Sequence, residues 1–104
     1  MKLTNEQRLL LEQAKGYGAV AELVFYPGRR YRIDVAFPAQ KLAVEIEGGG
    51  WINGRHSRGT GIETDAEKSA LLAIQGWRLM RVTPKQVRNG TAWAWIRECL
   101  GRVA

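Results

Sequence analysis

Apolar and polar residues alternate with a period of two in several short segments of this chain. In the segment 41–47, apolar residues alternate with an alanine and with the carboxylates Glu45 and Glu47, which is typical of a β-strand with one apolar face. Similar patterns predict three more strands, over 22–26, 31–37 and 77–82. The sequence therefore predicts a sheet of four short strands.

Helical patterns predict three helices, over 4–16, 64–75 and 91–102, and a short helical turn over 83–87. Thr4 with Gln7, and Thr64 with Glu67, are spaced as capping boxes for the first two long helices. Gly76 is the expected terminator of the second. The predicted order, α-β-β-β-α-β-α, is that of an α+β domain with a central mixed sheet flanked by helices.

Length and composition limit the class of protein. The 104 residues, 45% of them hydrophobic, suit one domain spanning residues 1–104. No apolar run approaches the roughly 20 residues of a membrane span, and the first residues lack the plan of a secretory signal. A single cysteine cannot form an intramolecular disulfide, which favours a cytoplasmic location. The formal charge of +6 is compatible with nucleic-acid binding, although charge alone does not distinguish that from a generally basic protein.

The turn between the second and third strands decides which residues lie opposite each other. A turn centred on residues 39–40 places Asp34 opposite Glu45, whereas a centre one residue earlier places it opposite Ala43. In both registers Asp34 shares a face with Glu45 and Glu47. The other face is then built from the apolar residues Ile33, Val35, Leu42, Val44 and Ile46.

Glu22 is a weaker candidate for this acidic face. Pro27 and Gly28 fit the central pair of a type II turn. Pairing about that turn places Glu22 opposite Ile33, on the apolar face.

Three converging carboxylates imply either strongly raised pKa values, because like charges repel, or a bound hard cation. Oxygen ligands from Asp34, Glu45, Glu47 and the Ile46 carbonyl suit Mg²⁺ or Mn²⁺. Such a metal orients water and offsets charge on a phosphodiester. The alternative is a solvated acidic face that pairs with basic neighbours such as Arg32 or Lys41.

The segment RIDVAFPAQKLAVEIEGG resembles the Asp…Glu-x-Lys core of the PD-(D/E)XK nucleases, and in particular the very-short-patch-repair-type endonucleases and their small relatives. The matching motifs are Arg32-Ile33-Asp34, Glu45-Ile46-Glu47-Gly48, His56, Asp65-Ala66-Glu67-Lys68 and Gly76-Trp77-Arg78-Leu79-Met80-Arg81. The resemblance covers roughly residues 30–88 and implies a restriction-endonuclease-like core. The usual lysine of Glu-x-Lys is Glu47 here, so the catalytic cation would be Lys68 or His56.

The glycine-rich segment 48–61 carries the candidate DNA contacts. Arg55 and Arg58 are expected to contact phosphate, and Trp51 either stacks on bases or caps the core. Arg32, of the Arg-x-Asp motif, is expected to add a further contact.

The expected function is that of a Mg²⁺-dependent DNA endonuclease, with Asp34, Glu45, Glu47, Lys68 and His56 as catalytic residues. With 104 residues, no separate target-recognition domain is expected, so specificity would come from loops, from a second subunit in a homodimer or from a partner protein. The alternatives are an inactive nuclease-fold protein that binds nucleic acid, and a basic protein-interaction module.

Overall fold

The computed structural model describes residues 2–48 and 59–101. It contains four strands, which are β1 (Val20–Val24), β2 (Arg32–Phe37), β3 (Leu42–Ile46) and β4 (Arg78–Val82). It contains four helices, which are α1 (Asn5–Gln13), α2 (Gly59–Ile74), α3 (Pro84–Arg88) and α4 (Thr91–Gly101). The sheet has the order β1-β2-β3-β4, with β3 and β4 parallel and the other pairs antiparallel. The predicted α+β class with a mixed sheet flanked by helices is confirmed, and no helix in these two segments is long and apolar enough to cross a membrane.

Two helices begin with the same arrangement of side chains. At α1 the Thr4 hydroxyl accepts the Gln7 amide at 3.1 Å, and Gln7 Oε1 accepts the Thr4 amide at 2.9 Å. At α3, Thr83 and Gln86 make the same pair of bonds at 3.2 and 3.0 Å. The predicted capping box of Thr4 and Gln7 is therefore confirmed.

The start of α2 differs from the sequence prediction. The helix already runs from Gly59, so Thr64 lies inside it and the predicted capping box with Glu67 is wrong. Glu67 instead accepts a hydrogen bond from the Tyr31 hydroxyl at 2.5 Å. The predicted end at Gly76 is confirmed, because this glycine has a φ of +84°, a conformation that favours glycine.

The β1–β2 pairing also differs by one position. The predicted turn at Pro27 and Gly28 is present, with Gly28 at a φ of +83°. However, β1 ends at Val24, so the connection is longer than a two-residue turn. The register pairs Leu23 with Ile33, which places Glu22 opposite Asp34 and not opposite Ile33 as predicted.

The β2–β3 hairpin follows the first of the two predicted registers. Val35 pairs with Val44 and Phe37 with Leu42, so the next position along the strands sets Asp34 opposite Glu45. A turn centred on residues 39–40 gives this register.

The sheet buries apolar residues on both faces. One core lies between the sheet and α1, α3 and α4, and its members are Leu10, Ala14, Val35, Phe37, Leu42, Val44, Val82, Val87, Ala92, Ile96 and Leu100. The second, under α2, contains Ile33, Ala36, Ala43 and Leu72. Ile33 and Val35 therefore lie on opposite faces of the sheet, whereas the alternation predicts that they share one face. The alternation of faces breaks at Asp34, opposite Glu22, whose φ is +56°.

Candidate functional site

Three neighbouring strands bring three carboxylates into one row. Asp34 on β2 lies opposite Glu22 on β1 and opposite Glu45 on β3. We call Glu22, Asp34 and Glu45 the acidic row. It lies where β2 begins and β3 ends, and the alternation of β-strand faces is interrupted there.

Backbone amides hold two carboxylates of the acidic row in place. The Ile46 amide donates to Asp34 Oδ2 at 2.8 Å, and the Asp34 amide donates to Glu45 Oε2 at 3.1 Å. These bonds continue the β2–β3 contact beyond the last strand pair, Val35 and Val44. Since each carboxylate is bonded to the opposite strand, a shift of either strand displaces both.

Lys68 supplies a positive charge at the acidic row. Its Nζ lies 2.7 Å from Glu45 Oε1, and the two side chains are only 20% and 16% exposed. The neighbouring residues of α2 reach other parts of the sheet, because Glu67 bonds Tyr31 before β2 and Ser69 accepts from Arg81 of β4 at 3.1 Å. Three consecutive residues of α2 therefore contact three different parts of the sheet edge.

Burial and charge repulsion shift the titration of the acidic row. Burial raises the pKa of Asp34, with the charges of Glu22 and Glu47 adding to the effect, while the Ile46 amide and Lys68 oppose it. Burial also raises the pKa of Glu45, followed by the charge of Asp34, and Lys68 opposes this rise. A second positive charge at this point would relieve the repulsion.

The Glu47 side chain does not join the acidic row. Arg81 Nε lies 2.6 Å from Glu47 Oε2, so this ion pair holds the carboxylate at β4. Within residues 2–48 and 59–101, no three acidic, histidine or cysteine side chains form a group that could hold a metal ion. Asp34 and Glu45 are thus brought together as predicted, and Glu47 is not.

The carboxylate oxygens of the acidic row are of the chemical type that binds a hard cation. Asp34 and Glu45 offer carboxylate oxygens, which can accept more than one bond each, and such oxygens are the ligands that Mg²⁺ prefers. Lys68 already contacts Glu45, so a cation would compete with the ammonium for that carboxylate.

A cleft of about 430 Å³ opens beside Asp34, between the sheet and the N-termini of α1 and α3. Its walls include Gln7, Glu22, Ile46, Gly48 and Pro84. Gly48 lies against the proline, because a Cβ added there would be 2.7 Å from Pro84 Cδ. The cleft reaches Glu22 and Asp34, whereas Glu45 and Lys68 do not line it.

The sequence analysis missed the contacts of Gln7 and treated Glu22 as a weaker candidate. Gln7 Nε2 donates to Glu22 Oε2 at 2.6 Å and to the Asp34 carbonyl at 3.1 Å. The sequence predicts that Gln7 caps α1, but its bonds to Glu22 and to the Asp34 carbonyl depend on where β1 and β2 lie.

Arg32, a predicted DNA contact, is exposed, and its Nη1 lies 3.8 Å from Glu22 Oε1.

The remaining candidates, Trp51, Arg55, His56 and Arg58, lie outside the described residues. Comparisons of the chain with protein-family models, with curated proteins and with solved structures found no match.

Proposed function

We propose that this protein is a metal-dependent DNA endonuclease with a restriction-endonuclease-like core. The observation that carries the proposal is the pairing of Asp34 with Glu45 on adjacent strands, with Lys68 Nζ 2.7 Å from Glu45. Two partly buried carboxylates beside a lysine are suited to hydrolysis of a phosphodiester, which needs a held cation and a positive charge near the phosphate.

Each residue has a separate task in this proposal. Asp34 and Glu45 would hold Mg²⁺ or Mn²⁺ together with the Ile46 carbonyl, and the metal when bound would activate water and offset phosphate charge. The Lys68 ammonium would stabilise negative charge on the scissile phosphate. Glu47 would support the site only indirectly, because it is held by Arg81. The basic surface, with a chain charge of +6, would attract the DNA backbone.

A second candidate function is nucleic-acid binding without cleavage. The observation that favours it is Glu47, which stands where the resembling nucleases have a lysine and which is paired with Arg81. Cleavage separates the two candidates, since both would bind DNA.

The test combines cation binding with cleavage. Mn²⁺ is titrated calorimetrically into wild type, Asp34→Ala and Glu12→Gln, the last being a control at an exposed acid of α1. The same proteins are incubated with linear, nicked, flapped and branched DNAs in Mg²⁺ or Mn²⁺. We expect Asp34→Ala alone to lose both binding and cleavage. Equal Mn²⁺ binding by wild type and Asp34→Ala would reject the metal site, and binding without cleavage of any DNA would favour the second candidate.

A further inference from the structure

Gln7 stands out among the described residues because it is the one buried polar side chain. It is 4% exposed, and no other polar or charged residue of segments 2–48 and 61–101 is buried to that degree. A buried amide is costly unless its donors and acceptor are bonded. The Gln7 amide meets this requirement, because Oε1 accepts from Thr4 while Nε2 donates to Glu22 and to the Asp34 carbonyl.

Helix capping explains only one part of this arrangement. Gln86 caps α3 with the same Oε1 bond, to the Thr83 amide at 3.0 Å, and its Nε2 makes no hydrogen bond within the described residues. Gln7 thus differs from its counterpart in the two bonds that Nε2 donates. Both of those bonds end on the acidic row.

The two bonds fall where the sheet itself is interrupted. The β1–β2 ladder includes the pairs Ala21–Val35 and Leu23–Ile33, and between them Glu22 has a φ of +56°. Gln7 Nε2 donates to the carbonyl of Asp34 at this interruption. The N-terminus of α1 therefore fixes the backbone of Asp34, whose carboxylate is in turn bonded to Ile46.

We propose that Gln7 is a positioning residue of the acidic row, which holds Glu22 and the Asp34 backbone in place from the N-terminus of α1. For catalysis this rests on the proposed endonuclease function; the positional role stands without it. Groups that orient metal ligands typically contribute about 10- to 100-fold to metal affinity or activity.

The test compares Gln7→Met with Gln86→Met. Each removes the glutamine of one capping box and keeps the length of the side chain, but only the first also removes the bonds to the acidic row. Hydrogen exchange is measured at the amides of Asp34 and Ile46, which donate to the carboxylates, and at the core amide of Ala43. Mn²⁺ affinity and single-turnover cleavage follow on the same proteins.

We expect Gln7→Met to speed exchange at Asp34 and Ile46 by at least about tenfold relative to Ala43, the factor that matches about 1.4 kcal/mol. Mn²⁺ affinity and cleavage should fall by about 10- to 100-fold, and Gln86→Met should leave all of these within about twofold of wild type. Equal effects of the two variants at the acidic row would overturn the proposal. If wild type binds no Mn²⁺ and cuts no DNA, the proposed function fails while the exchange ratio still decides the role of Gln7.

A measurement on wild type covers the case in which Gln7→Met does not fold. Side-chain amide protons of glutamines are resolved by nitrogen-edited NMR. The Gln7 Nε2 protons should exchange at least about tenfold more slowly than those of Gln86, because hydrogen bonds to charged groups are stronger than those to neutral groups. Equal exchange of the two amides would contradict the proposal.

Discussion

Lys68 Nζ lies 2.7 Å from Glu45 Oε1, and this ion pair joins α2 to β3 at the acidic row. Replacing Lys68 by methionine keeps most of the side chain and removes the charge. We expect the protein to fold and bind Mn²⁺ but to cleave DNA roughly 10² more slowly or worse, the scale for one lost transition-state contact. Single-turnover cleavage at saturating protein measures this, because it separates chemistry from binding.

The same variant also tests competition between the lysine and the cation. Without the ammonium, Glu45 loses the ion pair that it makes among the described residues, so Mn²⁺ should raise the melting temperature of Lys68→Met more than that of wild type. Lys85→Met, at an exposed lysine of α3, is the matched control. Wild-type cleavage by Lys68→Met would transfer the catalytic role to His56, and His56→Ala is then the next variant.

Asp34 makes stability depend on pH. Burial raises the pKa of Asp34 above its ordinary value of 3.8, so the folded state holds this proton more strongly than the unfolded state. Its contribution to stability therefore falls as pH rises from about 3.8 through the raised folded pKa, and it stays low above that. Asp34→Asn keeps an oxygen for the Ile46 amide and removes the charge.

The asparagine variant should thus melt several degrees higher than wild type at pH 7 without metal, since 1 kcal/mol corresponds to about 4–8 °C in a domain of this size. The gain should vanish below the ordinary pKa, where Asp34 is protonated in both states. Melting curves across pH measure it, with Glu12→Gln as the control. A gain that does not depend on pH would show that the charge of Asp34 is not its cause.

DNA affinity should depend strongly on salt. Each neutralised phosphate contributes a slope of about −0.9 to log K against log salt, so several contacts give a slope of several units. Replacing Arg55 and Arg58 together by alanine should make the slope less negative by the contribution of about two phosphate contacts. Fluorescence anisotropy at several salt concentrations measures this. Arg97→Ala, at an exposed arginine of α4, should leave the slope unchanged, and a flat response in wild type would exclude phosphate-dominated binding.

Gly48 should tolerate no side chain. A Cβ there would lie 2.7 and 2.8 Å from Pro84 Cδ and Cγ, and the proline ring is too stiff to move aside without cost. Gly48→Ala should therefore lower the free energy of unfolding by about 1–3 kcal/mol, the range for overpacking. Gly101→Ala is the control, because nothing lies within 4 Å of a Cβ there. Urea denaturation gives both values, and a neutral Gly48→Ala would show that the contact is easily relaxed.

The pairing of Asp34 with Glu45 could be predicted from the sequence because it depends on local information. The alternation in both strands and a short even turn leave two registers, both of which place Asp34 on the face of Glu45, and the structure has the first of them. The capping box of Thr4 and Gln7 and the glycine stop at Gly76 are local in the same way.

The rest of the site depends on contacts between residues that are far apart in the chain, and no local sequence pattern encodes such contacts. The longer β1–β2 connection moved Glu22 by one position and brought it beside Asp34. Whether Glu47 joins the acidic row or pairs with Arg81 depends on the position of β4, which lies more than 30 residues away in the chain. The break in alternation at Asp34, which puts Ile33 and Val35 in different cores, lies opposite Glu22 with its positive φ, and no local pattern of β2 encodes it.

The contacts of Glu67, Lys68 and Ser69 with Tyr31, Glu45 and Arg81 constrain how this chain can change in length. One residue inserted between Ser69 and the buried Leu72 would rotate the trio by about 100° against the sheet, and all three contacts would be lost together. An insertion ahead of Glu67 would leave the orientation of these three residues relative to the sheet unchanged. Insertions and deletions among natural variants should therefore accumulate before Glu67 and be absent from the turn of helix that follows it.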